Sequence, residues 1–413
     1  MRILTAERIT LAHGVRGGME MQAASLRAGL AERGHILTVL TTPHPDRRTV
    51  DRVPSATVIY QAPGDHRRYR LAWWRACYAT LEREHRRAPF DVLLSQSAGA
   101  LGYLARARRD LNLPAVVVLH GTLIGGLRTA LRDARSLRGL YRLARLLTTQ
   151  LPQHALLWRV ARDDVAHWIA VSDEVAAGWR RELGVPADRI SVIPNGVDVT
   201  RFAPDPAARA ATRAALGIAA DAPLLIAVGR LEQSKGFQIA VRALAHLRER
   251  RPGAHLAIAG EGSYRPRLEH EIAARGLQDR IHLLGYRPNA ELPALLAAAD
   301  IFLMPSLCHE AFPMVIVEAL ASGLPVLATN VGGIPTAIDN GRTGVLLPMG
   351  DVAAWSAAIE ALLGDERRRR AMGALARQVA VARLSRERMI EATEAVLMEV
   401  RATHRRAGSL SVR

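Results

Sequence analysis

Short runs of aliphatic and β-branched residues alternate with longer stretches of helical periodicity along the whole chain. Such runs, bounded by polar and turn residues, suit strands buried on both faces, and the stretches between them suit crossover helices. In the first half the pattern predicts strands at 3–6, 35–41, 57–60, 91–95, 115–120, 168–171 and 190–193. In the second half it predicts strands at 224–228, 255–259, 281–284, 301–304, 326–328 and 344–347. Strands alternating with helices give an α/β fold with parallel sheets. The segment 199–222 is rich in Pro, Ala and Asp and has little apolar patterning except around Arg209 to Leu216, which predicts a domain boundary there. Two domains follow, 1–200 and 201–385, and 386–413 reads as a final helix with a frayed tail.

At 413 residues the chain exceeds what one ordinary core accommodates, so length agrees with two domains. Hydrophobic residues make up 49%, yet no apolar run approaches the ~18 residues that a membrane span needs. Glu7 and Arg8 fall where a secretory signal would place its apolar stretch, and Cys77 and Cys308 are far apart. The expectation is a reduced, cytoplasmic protein without structural metal or cofactor. A formal net charge of +17 calls for an anionic partner. Aromatic residues are only 4% and no nucleic-acid motif is present, so nucleic acid is not expected to be that partner. Nearly all the positive charge is arginine, and Lys235 is the single lysine. Ammonium and guanidinium are not interchangeable at a tight phosphate site, which marks Lys235 as a candidate.

Lys235 lies in Val228-Gly229-Arg230-Leu231-Glu232-Gln233-Ser234-Lys235-Gly236-Phe237, after a buried strand and before a helix. Open α/β sheets bind ligands at the carboxyl ends of strands, and here Arg230 and Lys235 could offset the charges of a diphosphate. The second tract is His309-Glu310-Ala311-Phe312-Pro313-Met314-Val315, running on to Glu318. Pro313 is predicted as the first residue of a helix, with the free NH groups of Phe312, Pro313's neighbour Met314 and Val315 forming an anion site. Glu310 and Glu318, separated by roughly 12 Å of ideal helix, suit gripping two parts of one long ligand better than acid and base hydrolysis. Cys308 and His309 read as packing and surface residues.

These tracts resemble family 4 of the retaining glycosyltransferases. The Glu-x7-Glu hallmark is present as Glu310 and Glu318. Agreement extends in order through Gly17-Gly18-Met19-Glu20, His120-Gly121, Val171-Ser172-Asp173, Ile193-Pro194-Asn195-Gly196-Val197-Asp198, the Arg230 and Lys235 loop, and Asn330-Val331-Gly332-Gly333-Ile334-Pro335. The resemblance implies a GT-B fold, with two Rossmann-like domains facing across a cleft and a C-terminal helix crossing back to the N-terminal domain. It implies that Arg230 and Lys235 bind the diphosphate, Glu310 the sugar hydroxyls and Glu318 the ribose. It also implies that the Gly17 and Gly18 loop closes over the donor, that Arg287 belongs to a base-binding loop, and that His120 positions the donor sugar. Pro313 follows Phe312 directly, where many relatives carry a glycine. The donor is then a nucleotide diphosphate sugar, uridine being favoured because the 331–335 tract resembles that of uridine users.

The resemblance implies retention of configuration without metal. An epimerase of the same fold and a nucleic-acid binder are the alternatives. Arg128, Arg132, Arg135, Arg138, Arg142 and Arg145 recur at helical spacing beside an apolar face of Leu127, Leu131, Ala134, Leu137, Leu140, Tyr141, Ala144 and Leu147. A basic amphipathic helix of this kind suits either a solvated face or peripheral docking on the inner face of an anionic membrane, the latter with a lipid-linked, polysaccharide or other envelope acceptor.

Overall fold

The computed structural model describes residues 1–14, 17–62, 71–105, 111–133, 137–160 and 164–410. The chain divides into two compact units, one of Met1–Asn195 with Arg386–Arg413 and one of Gly196–Ser385.

The first unit holds an eight-stranded sheet. Its strands are β1 (Arg2–Ala6), β2 (Ile36–Thr41), β3 (Val50–Val53), β4 (Ala56–Tyr60), β5 (Val92–Gln96), β6 (Ala115–Leu119), β7 (His167–Ala170) and β8 (Ile190–Val192). Their order is β3-β4-β2-β1-β5-β6-β7-β8, all parallel except the β3–β4 pair. Seven of the strands match the pattern read from the sequence; β3 does not, because it is an exposed edge carrying Asp51 and Arg52 between two valines. Strand order reverses between β1 and β5, which are paired neighbours. Such a switch point leaves a crevice outside the carboxyl ends of the strands. Gln96 ends β5, and His120 directly follows β6.

The final helix, Arg386–Leu410, belongs to this first unit. Gly29 has no Cβ to obstruct Ile390, whose Cδ1 would lie 2.0 Å from one. Buried Glu394 takes hydrogen bonds from Arg33 and His35, both at 2.6 Å.

The second unit holds a six-stranded parallel sheet: β9 (Leu224–Val228), β10 (His255–Ala259), β11 (Ile281–Gly285), β12 (Ile301–Met304), β13 (Val326–Thr329) and β14 (Gly344–Leu347). The order β11-β10-β9-β12-β13-β14 again reverses between paired neighbours, here β9 and β12. Its core is continuous from Leu225 and Ile258 on the strands to Phe237, Leu244 and Trp355 on the covering helices.

The unit begins at Gly196, ahead of the boundary expected at 199–222, and that segment folds into a helix, Pro206–Ala215. Its periodicity is weak because ions hold it. Asp205 caps it by accepting from the Ala208 amide at 2.9 Å. Arg209 and buried Arg213 both donate at 2.7 Å to Asp300, which also accepts from the Leu224 amide at 2.8 Å. One carboxylate thus ties the helix to the starts of β9 and β12.

Candidate functional site

In the second unit, the loops after β9 and β12 meet at the switch point. Glycine makes that meeting possible. Gly236 has φ +74°, and a Cβ there would stand 1.8 Å from the Pro305 carbonyl oxygen. The Leu307 amide donates to the Ser234 carbonyl at 2.8 Å, fastening the same two loops. Gly332, at φ +59°, faces the Glu310 carbonyl oxygen with room for a hydrogen only, and the Gly333 amide donates to that oxygen at 2.7 Å. The 330–335 tract therefore buttresses the Glu310 loop.

The result brings Lys235 and Glu310 together. Lys235 Nζ donates to Glu310 Oε1 at 2.6 Å, Ser306 Oγ donates to it at 2.8 Å, and the Cys308 thiol reaches it at 3.5 Å. Burial is the largest single influence on the Lys235 ammonium and works against it, but the adjoining Glu310 carboxylate and Cys308 together hold the pKa above the ordinary lysine value. Oε1 is saturated, whereas Oε2 has no hydrogen-bond partner among the described residues. Cys308, expected to be packing alone, is part of this network. Ser306 was missed by the sequence reading, since a serine just past a strand carries no local signal of what its hydroxyl meets.

Arg230 is brought to the same loop but not to the same degree of burial: its side chain is 73% exposed and pairs with Glu232 at 2.6 Å. Arg287, past the end of β11, donates to the Leu284 carbonyl at 3.1 Å and contacts Glu291 at 3.4 Å. Its guanidinium braces its own turn, and Tyr286 beside it is exposed.

The helix after the Glu310 loop is Met314–Ala321. Pro313 is its N-cap with extended backbone, not its first helical residue as expected; the Ile316 amide donates to the Pro313 carbonyl, which starts the helix one residue later. The amides of Met314 and Val315 open the helix, where backbone NH groups favour an anion, and the preceding Phe312 is buried. Glu318 is buried on this helix and its carboxylate has no hydrogen-bond partner among the described residues. Burial raises its pKa to about 7, with only Arg201 opposing. An unpartnered buried carboxylate can accept two hydroxyl groups, and an ammonium beside helix amides can receive an anion.

In the first unit, Gly17 caps the helix Gly18–Glu32, and a Cβ on Gly17 would lie 2.4 Å from Glu20 Oε2. His120 Nε2 is 2.6 Å from Gln96 Oε1. Burial pushes the His120 pKa down to about 4, so the ring is neutral. Among the described residues, no group of three or more His, Cys, Asp or Glu side chains could hold a metal ion.

Two family models match in tandem: Glycosyltransferase Family 4 over residues 16–201 and Glycosyl transferases group 1 over residues 208–379. A D-inositol 3-phosphate glycosyltransferase of Xylanimonas cellulosilytica is 31% identical over 390 residues, covering 88% of this chain and 87% of that protein. The chain belongs to family 4 of the glycosyltransferases. A GDP-mannose-dependent alpha-(1-6)-phosphatidylinositol monomannoside mannosyltransferase of Mycolicibacterium smegmatis is 39% identical over 202 residues, 48% of this chain and 53% of that protein. The chain spans about half the length of the first curated relatives it matches. Among solved structures, HepE of Anabaena in complex with UDP is similar with a TM-score of 0.76 and 22% identity, covering 97% of this chain and 100% of that one. That likeness is one of fold. The chain has the GT-B fold, with one sheet in each unit, parallel throughout except at the β3 edge.

Proposed function

We propose that this glycosyltransferase moves a sugar from a nucleoside diphosphate to an acceptor hydroxyl with retention of configuration and without a metal ion. The observation that carries the reading is the second unit's switch point, where buried Lys235 meets Glu310 and an unpartnered Glu318 follows on the next helix. Lys235 and the amides of Met314 and Val315 hold the diphosphate, with Arg230 at the rim. Glu318 accepts the ribose hydroxyls, and Glu310 Oε2 accepts a sugar hydroxyl. As the bond from the anomeric carbon to the phosphate oxygen breaks, the acceptor oxygen bonds that carbon from the same face and its proton passes to the leaving phosphate. The protein's part is to hold the reacting atoms close and to offset the growing charge on the leaving group.

The test begins with melting curves in UDP, GDP and ADP, one of which should raise the transition by several degrees. The base is open to that measurement: uridine is favoured from the 331–335 tract, while the M. smegmatis relative is named for GDP-mannose. Sugar transfer from the matching donor should persist in EDTA. A loss restored by magnesium would overturn the metal-free part, and conversion of the donor sugar without an acceptor would favour an epimerase.

A lipid-linked acceptor is supported by the surface of the first unit. The expected basic helical stretch comprises the helices Leu123–Asp133, Leu137–Arg145 and Leu151–Val160, the last two joined by a π-helical turn at Leu146–Gln150. Ile124, Leu131, Leu140, Tyr141, Leu147 and Leu151 are exposed along it, with Arg128 and Arg145 also exposed. Arg135 and the side chains of Arg132, Arg138 and Arg142 lie outside the described residues. Apolar groups among arginines match an anionic bilayer, each arginine contributing about 1 kcal/mol near such a surface. No helix among the described residues is long and apolar enough to cross a membrane. The protein should sediment with phosphatidylglycerol vesicles at low ionic strength and be released by about 0.5 M salt. Leu140→Ser with Tyr141→Ser should weaken that binding about tenfold without changing nucleotide affinity. Failure of the parent to sediment at low salt would point to a soluble acceptor instead.

A further inference from the structure

Gln96 and His120 stand at the carboxyl ends of adjacent parallel strands, β5 and β6, beside the first unit's switch point. The chain around Gln96 is held in an uncommon shape. Ser97 has φ +51°, a left-handed conformation that side-chain-bearing residues rarely adopt and that tends to gather at functional sites. Three contacts impose it. Ser95 Oγ donates to the Ser97 carbonyl at 2.9 Å and accepts from the Ala100 amide at 2.8 Å, and Gly99 sits where a Cβ would be 2.2 Å from the Ala6 carbonyl oxygen at the end of β1. The loop thus fixes the starting point of the Gln96 side chain from both sides.

What that side chain meets is one nitrogen of His120. Gln96 Oε1 can only accept, so the 2.6 Å contact requires a proton on His120 Nε2. A neutral imidazole has one proton, so Nδ1 is then a bare acceptor, and it has no partner among the described residues. The partner is an amide, not a carboxylate. An amide fixes the proton's place without favouring the imidazolium, and burial alone accounts for the low pKa of the ring. A cation here would oppose positive charge building at an anomeric carbon, whereas a neutral acceptor does not.

We propose that Gln96 is a positioning residue that holds His120 as its Nε2–H tautomer, presenting Nδ1 as the acceptor for a hydroxyl of the transferred sugar. The role of Nδ1 rests on the function proposed above; the tautomer does not, and the two are tested separately. Long-range proton–nitrogen spectra of the full-length protein labelled with 15N-histidine, assigned with His120→Asn, should show a protonated Nε2 and a bare Nδ1. A protonated Nδ1 would overturn the assignment whether or not the enzyme is active. In transfer assays, Gln96→Leu should lower kcat about tenfold while donor KM stays within about threefold. Gln96→Glu keeps the acceptor but favours the imidazolium, so the His120 pKa rises. At saturating donor its kcat should approach the parent's at alkaline pH and fall relative to the parent's as the pH drops through that raised value. A Gln96→Glu profile that overlays the parent's, or a Gln96→Leu kcat within about twofold of it, would remove the positioning role. Should Gln96→Leu fail to fold, the near-isosteric Gln96→Glu profile decides alone. A parent protein that binds nucleotide yet transfers no sugar would overturn the role given to Nδ1.

Discussion

Lys235→Ala is expected to lower sugar transfer by about two to three orders of magnitude at saturating donor, with little change in the melting transition. The ammonium is the most buried cation of the switch-point loop, and its charge is closest to where a departing diphosphate would gain its own. The fold should tolerate the change because Glu310 keeps the Ser306 hydroxyl and the Cys308 thiol as donors. Lys235→Arg should also be impaired, though less. Its planar fork must enter a loop whose next residue, Gly236, already touches the Pro305 carbonyl. Steady-state kcat with a parallel unfolding curve checks both variants, and a Lys235→Ala turnover within tenfold of the parent would displace the diphosphate from this loop.

Glu318 carries the second large effect. Removing a carboxylate that accepts two ribose hydroxyls should weaken nucleotide binding by roughly 2 to 3 kcal/mol, about 30- to 150-fold, in Glu318→Ala. Its pKa of about 7 in the free protein adds a pH signature. Hydroxyl donors favour the ionised form, so bound nucleotide lowers this pKa, affinity falls as pH drops below 7, and binding near pH 6.5 releases protons. Calorimetry in buffers of different ionisation enthalpy measures that release, which should vanish in Glu318→Gln. Equal proton counts for parent and variant would remove Glu318 from the ribose. The same burial sets a stability trend of known sign. Because the folded pKa is raised, the contribution of the protonated group is present below its unfolded value and is lost as pH rises through about 7. Glu318→Gln should therefore melt above the parent at pH 8 and close to it near pH 4.5.

The strands were legible because burial on both faces writes them as apolar runs, and thirteen of the fourteen among the described residues lie where the pattern puts them. The missing one, β3, has solvent on its outer edge and nothing in its composition to announce it. Charge chemistry was legible by residue type: one lysine among arginines, and carboxylates flanking a helix start. Which groups meet was not legible. Lys235 and Glu310 are brought together across 75 positions by the packing of two glycine turns, and Gln96 reaches His120 across 24. The helix 206–215 was obscured for a related reason, since Asp300, far along the chain, supplies the partner its arginines need.

The helix Arg386–Leu410 has a consequence for how the molecule is made. Unit one is assembled from the first and last parts of the chain, with the whole of unit two encoded between them. During synthesis, the second unit has every one of its strands before the ribosome reaches Ile390 and Glu394, which Gly29, Arg33 and His35 await. The N-terminal unit therefore emerges first and is completed last, leaving the face that receives this helix bare for the interval. Chains released early would expose that face, so a nascent chain stopped before residue 386 should need a chaperone more than the finished protein does.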